Sequence, residues 1–302
     1  MRRILTLMML AVAVVASAWQ PDSVCPGFEM RYVDMGRDYS GTDVRTAIVR
    51  LQTPKPTGRG LLYVHGYTDW FHGSDTVMAR AFVDHGYEFY AVDLRKNGRS
   101  LMPGQTKYQL RNIKEYFTDI DSALTQMRAD GVREIAMMGF SMGGLTTAAY
   151  MAKHPDCGVR ALILNSPFLD WNQSKFQEKI LLPIVDTLAP LMKNLWIPRG
   201  AGYEPVQASW LKAIDDAHAI VQKTPRITVP ILLLRSDKSV KKGDPAGTDA
   251  HADGTLDVED IEYYGLRLGP NVTEIVVPGA PHNAVRPDMF ADMFAWLQAA
   301  MP

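Results

Sequence analysis

Glu134 to Lys153 reads EIAMMGFSMGGLTTAAYMAK, and this stretch decides the fold. Ile135 to Met138 is a short apolar run of the kind a buried strand makes. It runs into Gly139-Phe140-Ser141-Met142-Gly143, a G-x-S-x-G. Leu145 to Lys153 continues with helix-forming residues. A strand, a sharp turn and a helix therefore meet at one serine, which is the context a nucleophile elbow requires. The turn must be strained so that the serine Oγ points outward, and Gly139 and Gly143 let strand and helix approach closely around it.

Working outward, strand and helix patterns alternate on both sides. Phe28 to Asp34 and Arg45 to Gln52 read as two antiparallel strands, with Tyr39-Ser40-Gly41-Thr42 as the loop between them. Gly60 to His65 is a compact apolar run, read as a central strand. Asp75 to His85 reads as a helix closed by Gly86, Tyr87 to Val92 as a strand, and Tyr116 to Ala129 as a helix ended by Gly131. After the elbow come a strand over Arg160 to Asn165 and another over Ile231 to Arg235. Asp257 opens a helix to about Leu268, Val272 to Val277 is the last strand, and Met289 to Ala299 the closing helix. Such alternation calls for a mostly parallel central sheet flanked by helices. Between Leu169 and Thr224 the rhythm stops. That stretch carries Trp171, Phe176, Trp196, Tyr203 and Trp210, and reads as a helical cap insertion (about 169–224) suited to an apolar acyl group, or simply packed onto the body.

Composition narrows the classes. The chain has 302 residues, 47% hydrophobic, with 32 basic against 33 acidic side chains. That balance points away from a nucleic-acid partner and from a polybasic membrane surface. Arg2 and Arg3 precede an apolar run from Ile4 to Ala16, and Ala16-Ser17-Ala18 is an A-x-A site. Residues 1–18 thus read as a secretory signal peptide cut after Ala18, with 19–302 the mature domain, periplasmic or secreted. Cutting removes two arginines, leaving 30 basic against 33 acidic residues. No later stretch is long and apolar enough for a membrane span. Cys25 and Cys157, in an oxidising compartment, would form a disulfide or stay as two buried thiols.

His282, in Gly279-Ala280-Pro281-His282-Asn283 directly after the last strand, is placed to take the serine proton and return it to a leaving group. The acid that orients it has two candidates. Asp257 lies 25 residues before His282, room for one helix and one strand; Asp237 lies 45 before it but follows the strand at Ile231 to Arg235 directly. The spacing favours Asp257, for which a helix N-cap is the other role. Asp253 and Asp249 read as members of a solvated polar loop. Asp93 precedes the serine in the chain and reads as structural, as does His65. The main-chain N–H groups of Tyr67 and Met142 are the oxyanion donors expected after the third strand and after the nucleophile.

VHGYTDW, FYAVDLRKNGRS, MGFSMGGL, NSPFLDW and GAPHN together resemble the serine aminopeptidase-like, or lysophospholipase and monoacylglycerol-lipase-like, α/β-hydrolases, over about residues 28 to 300. The resemblance implies Ser141 as nucleophile, His282 as base, a carboxylic ester or lipid-like substrate, no metal or organic cofactor, and peptidase activity as the alternative. LDVEDI resembles a recurrent feature of some bacterial members and adds weight to Asp257. Phe140 departs from the family, where a histidine often precedes the serine, and the shortened loop at Arg235-Ser236-Asp237 is a second departure. A non-catalytic binding protein on the same fold is the remaining class.

Overall fold

The computed structural model describes residues 17–171, 187–188, 191–197, 205–223, 227–240 and 251–302. Residues 1–16 of the expected signal peptide lie outside these, as do Phe176, Tyr203 and Asp249.

Nine strands form one sheet: β1 (Gln20–Pro21), β2 (Glu29–Arg37), β3 (Asp43–Leu51), β4 (Arg59–Val64), β5 (Tyr87–Asp93), β6 (Glu134–Phe140), β7 (Val159–Asn165), β10 (Ile231–Ser236) and β11 (Val272–Val277). Their spatial order is β1-β2-β3-β5-β4-β6-β7-β10-β11. The first four pair antiparallel and every pair from β5 onward is parallel. The central strands β4, β6, β7 and β10 are apolar on both faces, because helices cover both sides of a parallel sheet. The anticipated elements appear within one to three residues of their expected bounds.

Two apolar layers sandwich the sheet. On one face lie α2 (Lys114–Ala129) and α3 (Met142–Lys153), joined by Trp210, Ile214 and Ala217 of α4 (Ala208–Lys223) and Ile261 of α5 (Val258–Gly265). On the other lie α1 (Asp75–Asp84) and α6 (Phe290–Ala300), with Phe82, Phe294 and Leu297 against Leu61, Phe89 and Ile163. Among the described residues between β7 and β10, the only strands are two residues each, β8 (Trp196–Ile197) and β9 (Val206–Gln207), paired antiparallel. Trp171 and Trp210 are buried there as body-packing residues, whereas Trp196 is 44% exposed.

Chain direction across the sheet reverses between β4 and β6: the chain goes from β4 outward to β5, and later from β6 to β7. The crevice beyond the carboxyl ends of such neighbours is where ligands bind in α/β sheets. Val64 at the end of β4 pairs with Gly139 at the end of β6. The loops leaving both strands therefore start side by side.

Buried charges fasten the amino-terminal segment. Arg99 donates to Asp22 (Nη2 to Oδ2, 2.5 Å) and to Asp93 (Nη1 to Oδ2, 2.9 Å), and all three side chains are buried. Asp93 Oδ1 also accepts from Phe71 N (3.0 Å), so this aspartate is structural as expected. Trp19 lies under the guanidinium of Arg50 (4.0 Å to the ring centroid). Cys25 and Cys157 are free: Cys25 sits in the α1 layer beside Arg99, and Cys157 packs on Met151 in the α3 layer. The two thiols belong to opposite faces of the sheet, so the disulfide alternative fails; both are free, Cys25 buried as expected and Cys157 only partly buried.

Two predictions follow from packing and charge. A Cβ on Gly143 would lie 2.3 Å from Val64 O and 2.4 Å from His65 O, both backbone atoms. Gly143→Ala must push α3 off β4, costing at least about 3 kcal/mol; at about 2–4 °C per kcal/mol for this size, thermal unfolding should fall by roughly 6–12 °C. Asp75 at the start of α1 is half-buried, and burial together with the nearby Asp69 charge raises its carboxyl to about 7. A raised acid weakens the fold once both states are ionised, so the cost is full above pH 7, shrinks as pH falls, and is gone below the unfolded value near 3.8. Asp75→Asn should be more stable than the parent at pH 8, by on the order of 2 kcal/mol, and equal to it near pH 4, as read by denaturant melts.

Candidate active site

Ser141 sits between β6 and α3 with φ 53° and ψ −117°, a conformation that a residue with a side chain seldom adopts. Its backbone is held on both sides. Ser141 N donates to Asn165 O (3.0 Å), and Ser141 O accepts from Phe168 N (3.0 Å). The glycines flanking it have no room for a side chain: a Cβ on Gly139 would lie 2.4 Å from Gly143 O. This is the steric reason for G-x-S-x-G.

His282 leaves β11 through a short loop and faces the serine. Its Nε2 is 2.9 Å from Ser141 Oγ, and its Nδ1 is 2.8 Å from Asp253 Oδ2. The carboxylate can only accept, so Nδ1 carries the proton and Nε2 is left free to accept from the serine hydroxyl. Phe140 stacks obliquely on the imidazole, with ring centroids 5.1 Å apart.

The acid partner is thus Asp253, and neither expected candidate reaches the histidine. Asp257 takes its other role: it is the N-cap of α5, with Oδ1 accepting from Glu259 N (3.0 Å). Asp237 is exposed and accepts from Gly279 N (2.8 Å), steadying the loop that leads to His282. Counting along the chain misplaced the acid because the chain returns to the end of β10 after the polar stretch. Asp253 N donates to Lys238 O (2.9 Å) and Val240 N donates to Asp253 O (2.8 Å), which pins Asp253 beside β10. The residue is 1% exposed, not solvated. Its Oδ1 accepts from Thr255 N (2.8 Å) and Leu256 N (2.9 Å), leaving Oδ2 for the histidine. The buried Ala252 and Leu256 around it were the available sign that this loop touches the body.

Asn165 is a site residue the sequence reading missed. Its carbonyl holds Ser141, its Oδ1 accepts from Ala284 N (3.1 Å), and its Nδ2 donates to Asn283 Oδ1 (2.8 Å). One buried asparagine at the end of β7 therefore ties the serine turn to the histidine loop.

Of the two main-chain donors expected for an oxyanion, one directly follows Ser141 in the chain and the other lies in the loop that abuts it. Met142 is the first residue of α3, so its N–H has no partner within the helix and lies at the positive end of the helix dipole. Tyr67 belongs to the loop after β4, and that loop abuts the serine: a Cβ on Gly66 would lie 3.3 Å from Ser141 Cβ. His65 is buried and structural, accepting at Nε2 from Leu94 N (3.0 Å) and paired at Nδ1 with Gly66 O (2.7 Å). The Tyr67 ring packs between Tyr108 and Trp210 (centroids 5.5 and 4.8 Å away), and a cavity of about 220 Å³ opens beside it, lined by Tyr67, Tyr108, Gln109, Trp196 and Pro205 among others. Among the described residues no three His, Cys, Asp or Glu side chains are grouped to hold a metal.

Comparison with known proteins agrees with this architecture. The Hydrolase_4 family, described as serine aminopeptidase, S33, matches residues 56–209. The AB hydrolase superfamily protein YisY of Bacillus subtilis (strain 168) is 29% identical over 109 residues, which is 36% of this chain and only 38% of that protein. Among solved structures, a soluble variant of monoglyceride lipase from Saccharomyces cerevisiae superposes with a TM-score of 0.61 at 16% identity, over 88% of this chain and 94% of that one. The monoacylglycerol lipase of Paleococcus ferrophilus gives 0.63 at 18%, over 86% and 100%. A thermostable carboxyl esterase from Bacillus coagulans gives 0.63 at 15%, over 90% and 99%. Identities this low speak for the fold alone. The family match spans just over half of the chain and contains both the serine turn and the loop after β4, so the chain belongs to the Hydrolase_4 (serine aminopeptidase, S33) family and has the α/β-hydrolase fold.

Proposed function

We propose that this protein is a serine hydrolase that cleaves carboxylic esters through an acyl-enzyme intermediate. The observation that carries the reading is the unbroken chain from Ser141 Oγ through His282 to the buried Asp253 carboxylate, at 2.9 and 2.8 Å. In the first half-reaction Ser141 Oγ attacks the ester carbonyl while His282 Nε2 takes its proton. Asp253 keeps the ring in the productive tautomer and stabilises the imidazolium as it forms. The Met142 and Tyr67 N–H groups receive the negative charge that develops on the carbonyl oxygen. His282 then returns the proton to the departing alcohol, and water repeats the sequence on the acyl group. The aromatic wall of Tyr67, Tyr108 and Trp210 supports an apolar, lipid-like monoacyl ester as substrate, in keeping with relatives named as monoglyceride lipases and an esterase. The family's description favours a second reading, an aminopeptidase acting through the same residues.

The protein is proposed to be exported, with residues 1–18 removed. The apolar run from Ile4 to Ala16 behind Arg2 and Arg3, and the Ala16-Ser17-Ala18 site after it, support this; the fold does not mark the cut, since Ser17 N already donates to Tyr32 O of β2 (2.8 Å). Intact mass of protein recovered from the periplasm or medium should correspond to a start at Trp19; a full-length mass there would overturn the proposal.

The catalytic reading is tested by fluorophosphonate labelling and an ester panel. Wild type should label and Ser141→Ala should not. Asp253→Asn should lower kcat by about 10³–10⁴-fold, whereas Asp257→Asn and Asp237→Asn should stay within about tenfold of wild type. Monoacylglycerols should be turned over faster than aminoacyl anilides, and the reverse order would favour the peptidase.

A further inference from the structure

Ser141 is strained, and one loop holds both of its peptide groups. That loop, residues 165–168, is itself strained: Ser166 has φ 42°. Backbone held in such regions relaxes unless its surroundings over-determine it. The loop is braced from outside at its start, where Ser166 N donates to Leu234 O of β10 (2.8 Å) and the Asn165 side chain meets the histidine loop, and at its far end by α4, through the side chain of His218.

His218 is 2% exposed, with its ring set edge-on against Phe168 and Trp171 (centroids 4.7 and 5.3 Å away). Its Nε2 lies 3.0 Å from Phe168 O. A carbonyl only accepts, so Nε2 carries the proton. Nδ1 is buried with no hydrogen-bond partner among the described residues, and in the neutral ring it carries no proton. Burial lowers the imidazole to about 4, although Asp170 and Asp215 are near enough to oppose the shift. One turn further along α4, Gln222 Nε2 donates to Leu169 O (2.9 Å) and to Asp170 Oδ1 (3.0 Å). The neighbouring peptide of the same segment points the other way: Phe168 N donates to Ser141 O. His218, the Phe168 backbone and the Ser141 carbonyl therefore form one hydrogen-bonded file from α4 to the nucleophile turn.

We infer that His218 is a positioning residue, which holds Ser141 in its attacking conformation through the Phe168 backbone. The inference rests on Ser141 being the nucleophile. A histidine buried with one nitrogen unpartnered is a costly choice for mere packing, since an aromatic ring of the same size would fill the space without an orphaned polar atom. What it supplies that such a ring lacks is the Nε2 donor. Deep burial keeps the ring neutral, so Nε2 donates to Phe168 O while Nδ1 stays unprotonated.

The test compares His218→Phe, which fills the space without the donor, with His218→Gln, whose amide nitrogen restores it. For both, the fluorophosphonate labelling rate, kcat and KM on a p-nitrophenyl ester, and amide exchange in the peptide covering 165–171 are measured. The Phe variant should remain folded, lose about 10–100-fold in labelling rate and kcat with KM within about twofold, and exchange faster over 165–171. The Gln variant should recover to within about threefold of wild type in each. Parental labelling by the Phe variant, or a Gln variant as slow as Phe with normal exchange, overturns the role. A wild type that exchanges slowly over 165–171 but never labels overturns the nucleophile reading instead.

Discussion

The structure depends on how closely three backbones meet at Ser141. Strand β6, helix α3 and the end of β4 converge where Gly143 lies against the Val64 and His65 carbonyls and Gly139 against Gly143. Only glycine permits that approach, and only that approach forces Ser141 to φ 53°. The strain costs on the order of 1–3 kcal/mol, and the surrounding sheet over-determines it. The pairing of Val64 with Gly139 places the β4 loop and the serine turn at the same height, where the direction of the fold reverses.

Hydrogen bonds then convert that steric arrangement into a chemical one. Asn165 reaches the serine turn through its carbonyl and the histidine loop through its side chain, so one residue at a strand end ties Ser141 to the loop that carries His282. Asp253 divides its two oxygens: one stabilises its own turn and the other orients the imidazole. Each group is held by two or more partners, the preorganisation that makes electrostatic stabilisation of a developing charge effective.

What was legible in the sequence follows from how local each signal is. The strands were legible because β4, β6, β7 and β10 are short apolar runs bounded by turn residues, and the elbow because its glycines and serine are contiguous. His282 was legible because it directly follows the last strand. The acid was not, because its position is set by backbone pairing between Lys238–Val240 and Asp253, residues far apart in the chain. Asp257 misled for a physical reason: an aspartate that opens a helix and one that orients a histidine look alike until their partners are seen. Asn165 and His218 act through backbone groups of other segments, and that kind of partnership leaves no spacing to read.

The pinning of Asp253 frees its neighbourhood from metric constraint. Two backbone bonds close the chain at 238–240 and 253, so the acid keeps its place whatever number of residues lies between. The entropy of closing such an excursion grows only logarithmically with its length. Insertions and deletions between Val240 and His251 should thus leave the Asp253–His282–Ser141 hydrogen bonds in place, and an aligner that scores residue spacing will pick the wrong aspartate as this stretch grows or shrinks. The invariant is the register of Asp253 against the residues that follow β10, not its distance along the chain.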